Sequence, residues 1–236
     1  MLKVEAPGGA RDILLHACCA PCSGAVLECL RDNGIRPVVF FSNSNITPRG
    51  EYDHRLAELR RYADVMGVEL VEDEYDHDAW LAAVRGLEAE PERGARCAAC
   101  FRFRLERAAR YAASRGLPVV ATTLASSRWK DLDQVNAAGL SACSSSLHGS
   151  SGPKTSGVAE PLPLPSEAGP SLLRSRGWLR FSGPTAASVP QQAEVMFWPQ
   201  NWRKGGLQER RNDVIREQGF YNQTWCGCEF SRNLNP

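Results

Sequence analysis

Short apolar runs alternate with longer segments of helical periodicity over the first half of the chain. The apolar runs predict four strands, at residues 12–16, 36–41, 68–71 and 117–121. The segments between them predict helices at residues 23–33, 51–66, 76–85 and 101–115. Strands that are apolar on both faces are typical of a parallel sheet covered by helices on both sides. The pattern therefore predicts a doubly wound α/β fold.

Polar and sulfur-bearing residues directly follow three of these predicted strands. In doubly wound sheets, ligands bind at the carboxyl ends of the strands. We therefore expect a functional site at this edge. The residues that the sequence places there are Cys18, Cys19 and Cys22 after the first strand, Asn43 and Asn45 after the second, and Thr122 and Thr123 after the fourth.

The second half of the chain is interrupted by a segment of different composition. Residues 141–194 are rich in serine, proline and glycine and lack sustained periodicity, so this segment predicts a flexible or irregular low-complexity insertion. A helical pattern resumes at residues 207–218. We expect residues 11–140 and 195–232 to form one α/β domain around the insertion.

Overall composition indicates where in the cell the protein is expected and what its cysteines are used for. The 236 residues carry a formal net charge of +1 and include nine cysteines. No apolar run approaches the roughly 20 residues that a membrane span needs, and the N-terminus lacks a secretory pattern. These features predict a soluble cytoplasmic protein. Because the cytosol keeps thiols reduced, the cysteines suggest metal binding or redox catalysis and not a disulfide scaffold.

Seven of the nine cysteines form three groups, Cys18-Cys19-x-x-Cys22, Cys97-x-x-Cys100 and Cys226-Gly227-Cys228. The first group at a strand-to-helix junction is compatible with thioredoxin-like exchange, and the second with a structural zinc knuckle. Adjacent cysteines suit an iron–sulfur cluster better than one tetrahedral ion. The third group predicts a reversible dithiol pair, with metal ligation by one thiolate as the alternative. Cys29 and Cys143 are interpreted as incidental.

Polar residues around the cysteines suggest a phosphate-bearing ligand. Six arginines surround the second group between Arg93 and Arg110, although a solvated helix face would show the same pattern. Ser126, Ser127 and Lys130 follow the fourth strand in a manner typical of a phosphate-binding turn. No Walker loop or dinucleotide fingerprint is present, so neither a nucleoside triphosphate nor a dinucleotide is supported.

The ordered set of motifs resembles the QueH type of epoxyqueuosine reductases. The residues that carry the resemblance are His16-x-Cys18-Cys19-Ala20-Pro21-Cys22, Asn43-x-Asn45-Ile46-x-Pro48-x-x-Glu51-Tyr52, Cys97-x-x-Cys100, Thr122-Thr123-Leu124 with Lys130, and Tyr221-x-Gln223-x-x-Cys226-Gly227-Cys228-x-x-Ser231. The resemblance covers roughly residues 11–140 and 195–232. It implies a Rossmann-like domain akin to the adenine-nucleotide α-hydrolase group. It also implies a cytoplasmic enzyme that reduces epoxyqueuosine at the tRNA wobble position to queuosine.

The same resemblance assigns roles to individual residues. It implies a [4Fe–4S] cluster on Cys18, Cys19, Cys97 and Cys100, an adjacent iron ion near Cys22, and a redox-active catalytic pair in Cys226 and Cys228. The candidate substrate-binding residues are Asn43, Asn45, Tyr52, Lys130, Arg104 and Arg107. The implied partners are tRNA carrying epoxyqueuosine and an electron donor that the sequence does not identify, with no membrane involved. Two alternatives are a zinc-tethered tRNA-binding module and cluster-dependent tRNA sulfur transfer, against which the missing phosphate loop counts.

Overall fold

The computed structural model describes residues 2–145 and 194–232, which belong to one compact unit. The five described strands are β1 (Asp12–His16), β2 (Arg36–Phe41), β3 (Leu70–Glu72), β4 (Val119–Thr122) and β5 (Met196–Phe197). The described helices are α1 (Ala20–Asp32), α2 (Arg49–Met66), α3 (His77–Ala83), α4 (Ala95–Ser114), α5 (Leu132–Ser145), α6 (Leu207–Gln218) and α7 (Glu229–Arg232). None of these helices has the length and apolar character that a membrane span requires.

The described strands form one parallel sheet in the order β3-β2-β1-β4-β5. The chain winds outward from β1 to β3 and then returns to place β4 on the other side of β1. Because crossovers between parallel strands are right-handed, this reversal puts the helices of the two halves on opposite faces. The carboxyl ends of β1 and β4 then diverge into a crevice, where His16 is in register with Thr122. The α/β prediction is confirmed.

Two helical layers cover the sheet. Helix α1 packs against α2 and α6, whereas α4 packs against α5 and α3. The core between the layers contains the fully buried β1 residues Ile13, Leu14 and Leu15. A strand that is buried on both faces has little freedom to shift, so the residues after it are held at a defined place on the sheet edge.

Several boundaries differ from the sequence prediction. β1 and β2 begin and end as predicted, but α1 begins at Ala20 and α4 at Ala95, each earlier than expected. Cys22, Cys97 and Cys100 are therefore helical, and the Cys97 pair does not lie in a loop before a helix. Helix α5 was not predicted and extends past residue 140, where the predicted insertion begins. The rest of that predicted insertion, residues 146–193, lies outside the described residues.

We predict that the contact between α5 and β5 tolerates no added methyl group. A Cβ atom on Gly139 would overlap the aromatic ring of Phe197. Gly139→Ala should therefore lower the free energy of unfolding by about 1–3 kcal/mol, as overpacked cores do. Gly50→Ala is the matched control, because a Cβ there on α2 meets nothing within 4 Å. Urea unfolding of both variants tests this, and equal stabilities would contradict the packing described.

Candidate metal and redox centre

Cys18, Cys19 and Cys22 form a buried cluster of sulfurs, which we call the cysteine triad. Their sulfur atoms all lie within 4.8 Å of one another, and the Sγ atoms of Cys18 and Cys19 are 3.8 Å apart. Metal–thiolate bonds of about 2.3 Å place the sulfurs of a tetrahedral site about 3.8 Å apart. The triad can therefore bind a soft metal ion through all three sulfurs. Cys22 thus belongs to the same potential metal site as Cys18 and Cys19.

The triad is positioned by the junction between β1 and α1 and by the turn after β4. Cys19 is the N-cap of α1, and Pro21 stabilises the first helical turn because it needs no hydrogen-bond acceptor there. Thr123 accepts a 3.2 Å hydrogen bond from the Cys18 amide, and its hydroxyl lies 3.6 Å from the Cys18 sulfur. The Ser126 hydroxyl donates to the Cys22 carbonyl at 3.0 Å. These contacts tie the triad to both strands of the crevice.

The second cysteine group occupies the first turns of α4. Cys97 and Cys100 are three residues apart on this helix, so their side chains share one face. The amide of Arg93 donates a 3.3 Å hydrogen bond to the Cys97 sulfur. Cys100 is buried in a small apolar cluster with Trp80 and Cys228. The structure thus brings the second cysteine group together with the third.

Cys226-Gly227-Cys228 forms a tight turn, which we call the dithiol turn. Gly227 has a φ of 97°, and a Cβ atom there would lie 2.9 Å from Cγ1 of Ile46, so only glycine suits the position. The Thr47 amide donates to the Gly227 carbonyl at 3.0 Å. The buried guanidinium of Arg55 donates to the Cys226 carbonyl at 3.2 Å. All nine cysteines are free thiols in this structure.

The two thiols of the dithiol turn have opposite electrostatic environments. Hydrogen bonds from Cys228 and from Ser231, together with the positive charge of Lys130, hold the pKa of Cys226 well below its usual value despite burial. The Ser231 hydroxyl lies 3.1 Å from the Cys226 sulfur. The hydrogen bond to Cys226 and burial raise the pKa of Cys228. Of the two thiols, Cys226 is therefore the one that loses its proton first, and Cys228 keeps its proton.

Lys130 links the dithiol turn to the triad. Burial lowers the pKa of this amine, but the negative charges of thiolates at Cys18 and Cys226 oppose burial, and the pKa lies above its usual value. Hydrogen bonds from Cys19 and Cys22 lower the pKa of Cys18 in turn. One ammonium group thus lies in electrostatic range of two cysteine groups.

Arg104 supplies a second positive charge inside the crevice. Its guanidinium is buried, donates to the Ser42 carbonyl at 3.2 Å and contacts the Asn43 side-chain oxygen. Burial raises the pKa of Cys100, and the charge of Arg104 opposes that rise. Burial, together with the charge of Arg104, lowers the pKa of His16 to about 3, so this histidine is neutral. This placement favours an electrostatic role for Arg104 toward the thiolates over direct contact with phosphate.

The other candidate substrate-binding residues divide into two sets. Tyr52 is buried and donates to Glu72 at 3.1 Å, and Arg107 pairs with Asp73, so both use their polar groups within the protein. Asn43 is bonded to the Ala17 carbonyl at 2.9 Å. Asn45 is buried, and its side-chain oxygen has no hydrogen-bond partner among the described residues. Asn45 thus keeps an acceptor available to a ligand.

Two contacts that position the dithiol turn were not predicted from the sequence. Glu51 forms a 2.6 Å ion pair with the buried Arg55, and this pair orients the guanidinium toward the dithiol turn. The spacing of four residues on a predicted helix was the available signal. His77 forms a 3.1 Å contact with Glu229 that connects α3 to α7. No sequence signal links residues so far apart along the chain.

The fold and the site together define a class: a Rossmann-type α/β protein with a buried cysteine triad, able to bind a metal, at the carboxyl edge of its parallel sheet. The family model described as "Epoxyqueuosine reductase QueH" matches residues 13–149 and 177–234. The chain belongs to this family of oxidoreductases, which confirms the resemblance seen in the sequence motifs.

Individual relatives agree with the family match. Epoxyqueuosine reductase QueH of Histophilus somni is 34% identical over 97% of this chain and 75% of its own length. The protein of the same name from Acinetobacter baylyi is 34% identical over 98% of this chain and 84% of its own length. The Thermotoga maritima protein of that name is 26% identical over 93% and 89%, respectively.

We predict that the Ser231 hydroxyl stabilises the Cys226 thiolate. The single Ser231 proton is donated to the Cys228 carbonyl at 2.8 Å, and it can turn to the Cys226 sulfur, 3.1 Å from the hydroxyl oxygen, when that sulfur ionises. Ser231→Ala removes this donor to the charged form, so the pKa of Cys226 should rise and its alkylation should slow at pH values below the new pKa. The pH dependence of iodoacetamide labelling, read by mass spectrometry of the C-terminal peptide in reduced protein, measures this. Ser114→Ala is the control, because that exposed hydroxyl bonds only the Tyr111 carbonyl. An unchanged labelling midpoint in Ser231→Ala would argue against the contact.

Proposed function

We propose that this chain reduces the epoxide of epoxyqueuosine, at the wobble position of a tRNA anticodon, to the cyclopentene of queuosine. The observation that carries the proposal is a buried cysteine triad on a fold of the QueH family, with the second and third cysteine groups packed together. The triad lies at the end of β1, and the dithiol turn packs with Cys100 of α4. A metal ion can polarise the epoxide oxygen, and a thiol couple can supply two electrons.

The donor set fits an iron–sulfur cluster. Thiolates are the ligands of such clusters, and the triad sulfurs are buried, free and close together. We propose that Cys18, Cys19, Cys97 and Cys100 hold a [4Fe–4S] cluster and that Cys22 is beside an adjacent iron ion. When bound, these groups would supply single electrons and a Lewis acid for the epoxide oxygen. Lys130 and Arg104 would offset the negative charge of the thiolates.

The dithiol turn can supply the two electrons of one turnover and one of its two protons. Removing the oxygen of an epoxide as water, with formation of a carbon–carbon double bond, consumes two electrons and two protons. Oxidation of the Cys226 thiolate and the Cys228 thiol to a disulfide releases two electrons and the Cys228 proton, and the second proton comes from solvent. An electron donor must then reduce the disulfide, which is strained by its single intervening residue and therefore easily opened.

The polar residues at the crevice suit a modified base and its phosphates. A wobble nucleotide has to leave the anticodon stack before its epoxide can reach a buried site. The unpaired oxygen of Asn45 is available to a hydroxyl or amine of the ligand. Lys130 remains a candidate substrate contact, whereas the Asn43 side chain uses its nitrogen on the Ala17 carbonyl and its oxygen on Arg104. Binding of tRNA through phosphates would weaken as the salt concentration rises.

The proposal is tested with protein purified and reconstituted without oxygen. We expect about four irons per chain for the cubane, plus iron at the adjacent site, and reduction of epoxyqueuosine-containing tRNA with a strong reductant. Cys226→Ser and Cys228→Ser should each lower turnover by on the order of 100-fold or more while retaining iron. Cys18→Ser and Cys97→Ser should lose iron and activity together.

Cys143→Ala is the matched control. Cys143 is a buried thiol of α5, outside the three cysteine groups, and its replacement should leave iron content and turnover intact. Iron-loaded protein that leaves the epoxide unreduced would refute the proposed reaction. Zinc in place of iron in protein purified without oxygen would refute the proposed cluster. Iron loss in Cys22→Ser larger than in Cys97→Ser would place the triad itself at the centre of the metal site.

A further inference from the structure

An exposed tryptophan lies next to the residue that links the cysteine groups. Trp129 is 62% exposed, the largest exposure of any aromatic side chain among residues 2–145 and 194–232. It directly precedes Lys130, whose amine is in electrostatic range of the triad and of Cys226. The loop of Trp129 also carries Ser126, which donates to the Cys22 carbonyl at 3.0 Å. Arg93, which holds the Trp129 carbonyl, donates its own amide to the Cys97 sulfur at 3.3 Å. Trp129 is therefore on a loop that borders two of the cysteine groups, and its indole is left largely in water there.

The backbone that carries Trp129 is held by side chains from two other parts of the chain. The guanidinium of Arg93 donates to the Trp129 carbonyl at 3.1 Å and to the Arg128 carbonyl at 3.3 Å. Arg203 donates to the Lys130 carbonyl at 2.9 Å. The loop is thus fixed from the start of α4 and from the segment after β5. An indole on a fixed backbone loses less entropy on binding than one on a mobile loop.

The charges around Trp129 are mainly positive. The guanidinium carbon of Arg128 lies 4.8 Å from the centre of the indole ring. Arg93, Lys130 and Arg203 add three positive charges, against which Glu92 and Asp131 are the neighbouring acids. An exposed aromatic plane among arginines is the combination that stacks unpaired RNA bases and holds their phosphates.

We propose that Trp129, flanked by Arg128, is a stacking platform for an anticodon-loop base next to the wobble nucleotide. The inference rests on the proposed function, because a wobble nucleotide in the crevice leaves its neighbours at the opening. Stacking on Trp129 replaces the base contact that the neighbour loses when the wobble nucleotide leaves the stack. The platform selects an RNA loop over a free nucleoside, and it makes Trp129 a positioning residue with no part in the reduction itself.

Binding of an RNA hairpin with the anticodon-loop sequence to the reconstituted enzyme tests the platform. Trp129→Ala should weaken binding by about 5- to 150-fold, the range for loss of one stacked base. Trp129→Phe should retain most of the affinity because it keeps an aromatic face. The slope of log Kd against log salt should not change in Trp129→Ala, since the indole carries no charge. Arg128→Ala should reduce that slope by about 0.7.

Turnover on epoxyqueuosine-containing tRNA gives a second readout. Trp129→Ala should raise KM with little change in kcat or iron content, whereas a merely structural role would also lower kcat and iron content. Val65→Ala is the control, because Val65 is 63% exposed at the far end of α2. Hairpin affinity that is equal in wild type and Trp129→Ala would overturn the platform even if the epoxide is reduced. Weaker binding by Trp129→Ala supports it whether or not reduction occurs.

Discussion

The reversal of winding between β1 and β4 is the constraint on which the site depends. β1 is buried on both faces and lies between β2 and β4, so its carboxyl end opens into the crevice created by the reversal. The cysteine triad follows β1, and the hydroxyls of Thr123 and Ser126 follow β4. A sheet wound in one direction would cover this edge with a helix connection and would leave no space between the two sets of residues.

Charge balance is the second requirement of the crevice. Several sulfurs near one another in a buried space repel when ionised, and burial itself disfavours the thiolate. The positive charges of Arg104, on α4, and Lys130, in the turn after β4, stabilise the ionised sulfurs. The neutral His16 completes the arrangement, since its Nδ1 and Nε2 atoms contact Thr122 at 2.8 Å and the Ser42 carbonyl at 3.2 Å. The Ser42 carbonyl only accepts, so Nε2 carries the proton and Thr122 donates to Nδ1.

The dithiol turn reaches the crevice through contacts that span most of the chain. The Arg55 guanidinium on α2 donates hydrogen bonds to the carbonyls of Cys226 and of the preceding residue. Ile46 limits the space at Gly227, and His77 contacts Glu229, the residue after the turn. These contacts place Cys226 in electrostatic range of Lys130 and pack Cys228 beside Cys100. The exposed loop of Trp129 is held in a comparable way, by arginines from distant segments. Residues outside the cysteine motifs thus position the cysteines and the Trp129 loop.

The sequence by itself determined the α/β class, the bounds of β1 and β2, and the three cysteine groups, because apolar periodicity and motif spacing are local properties. It also indicated the family, since ordered motifs need no coordinates. It missed α5, and it began α1 and α4 too late, because tertiary packing outweighs the weak local signals at helix ends. Only the tertiary structure brought the Cys22 sulfur within 4.8 Å of the other two sulfurs, buried Arg104 and Tyr52, and gave Cys226 and Cys228 pKa values shifted in opposite directions. Those features depend on distances between residues far apart in the chain, and no local pattern encodes such distances.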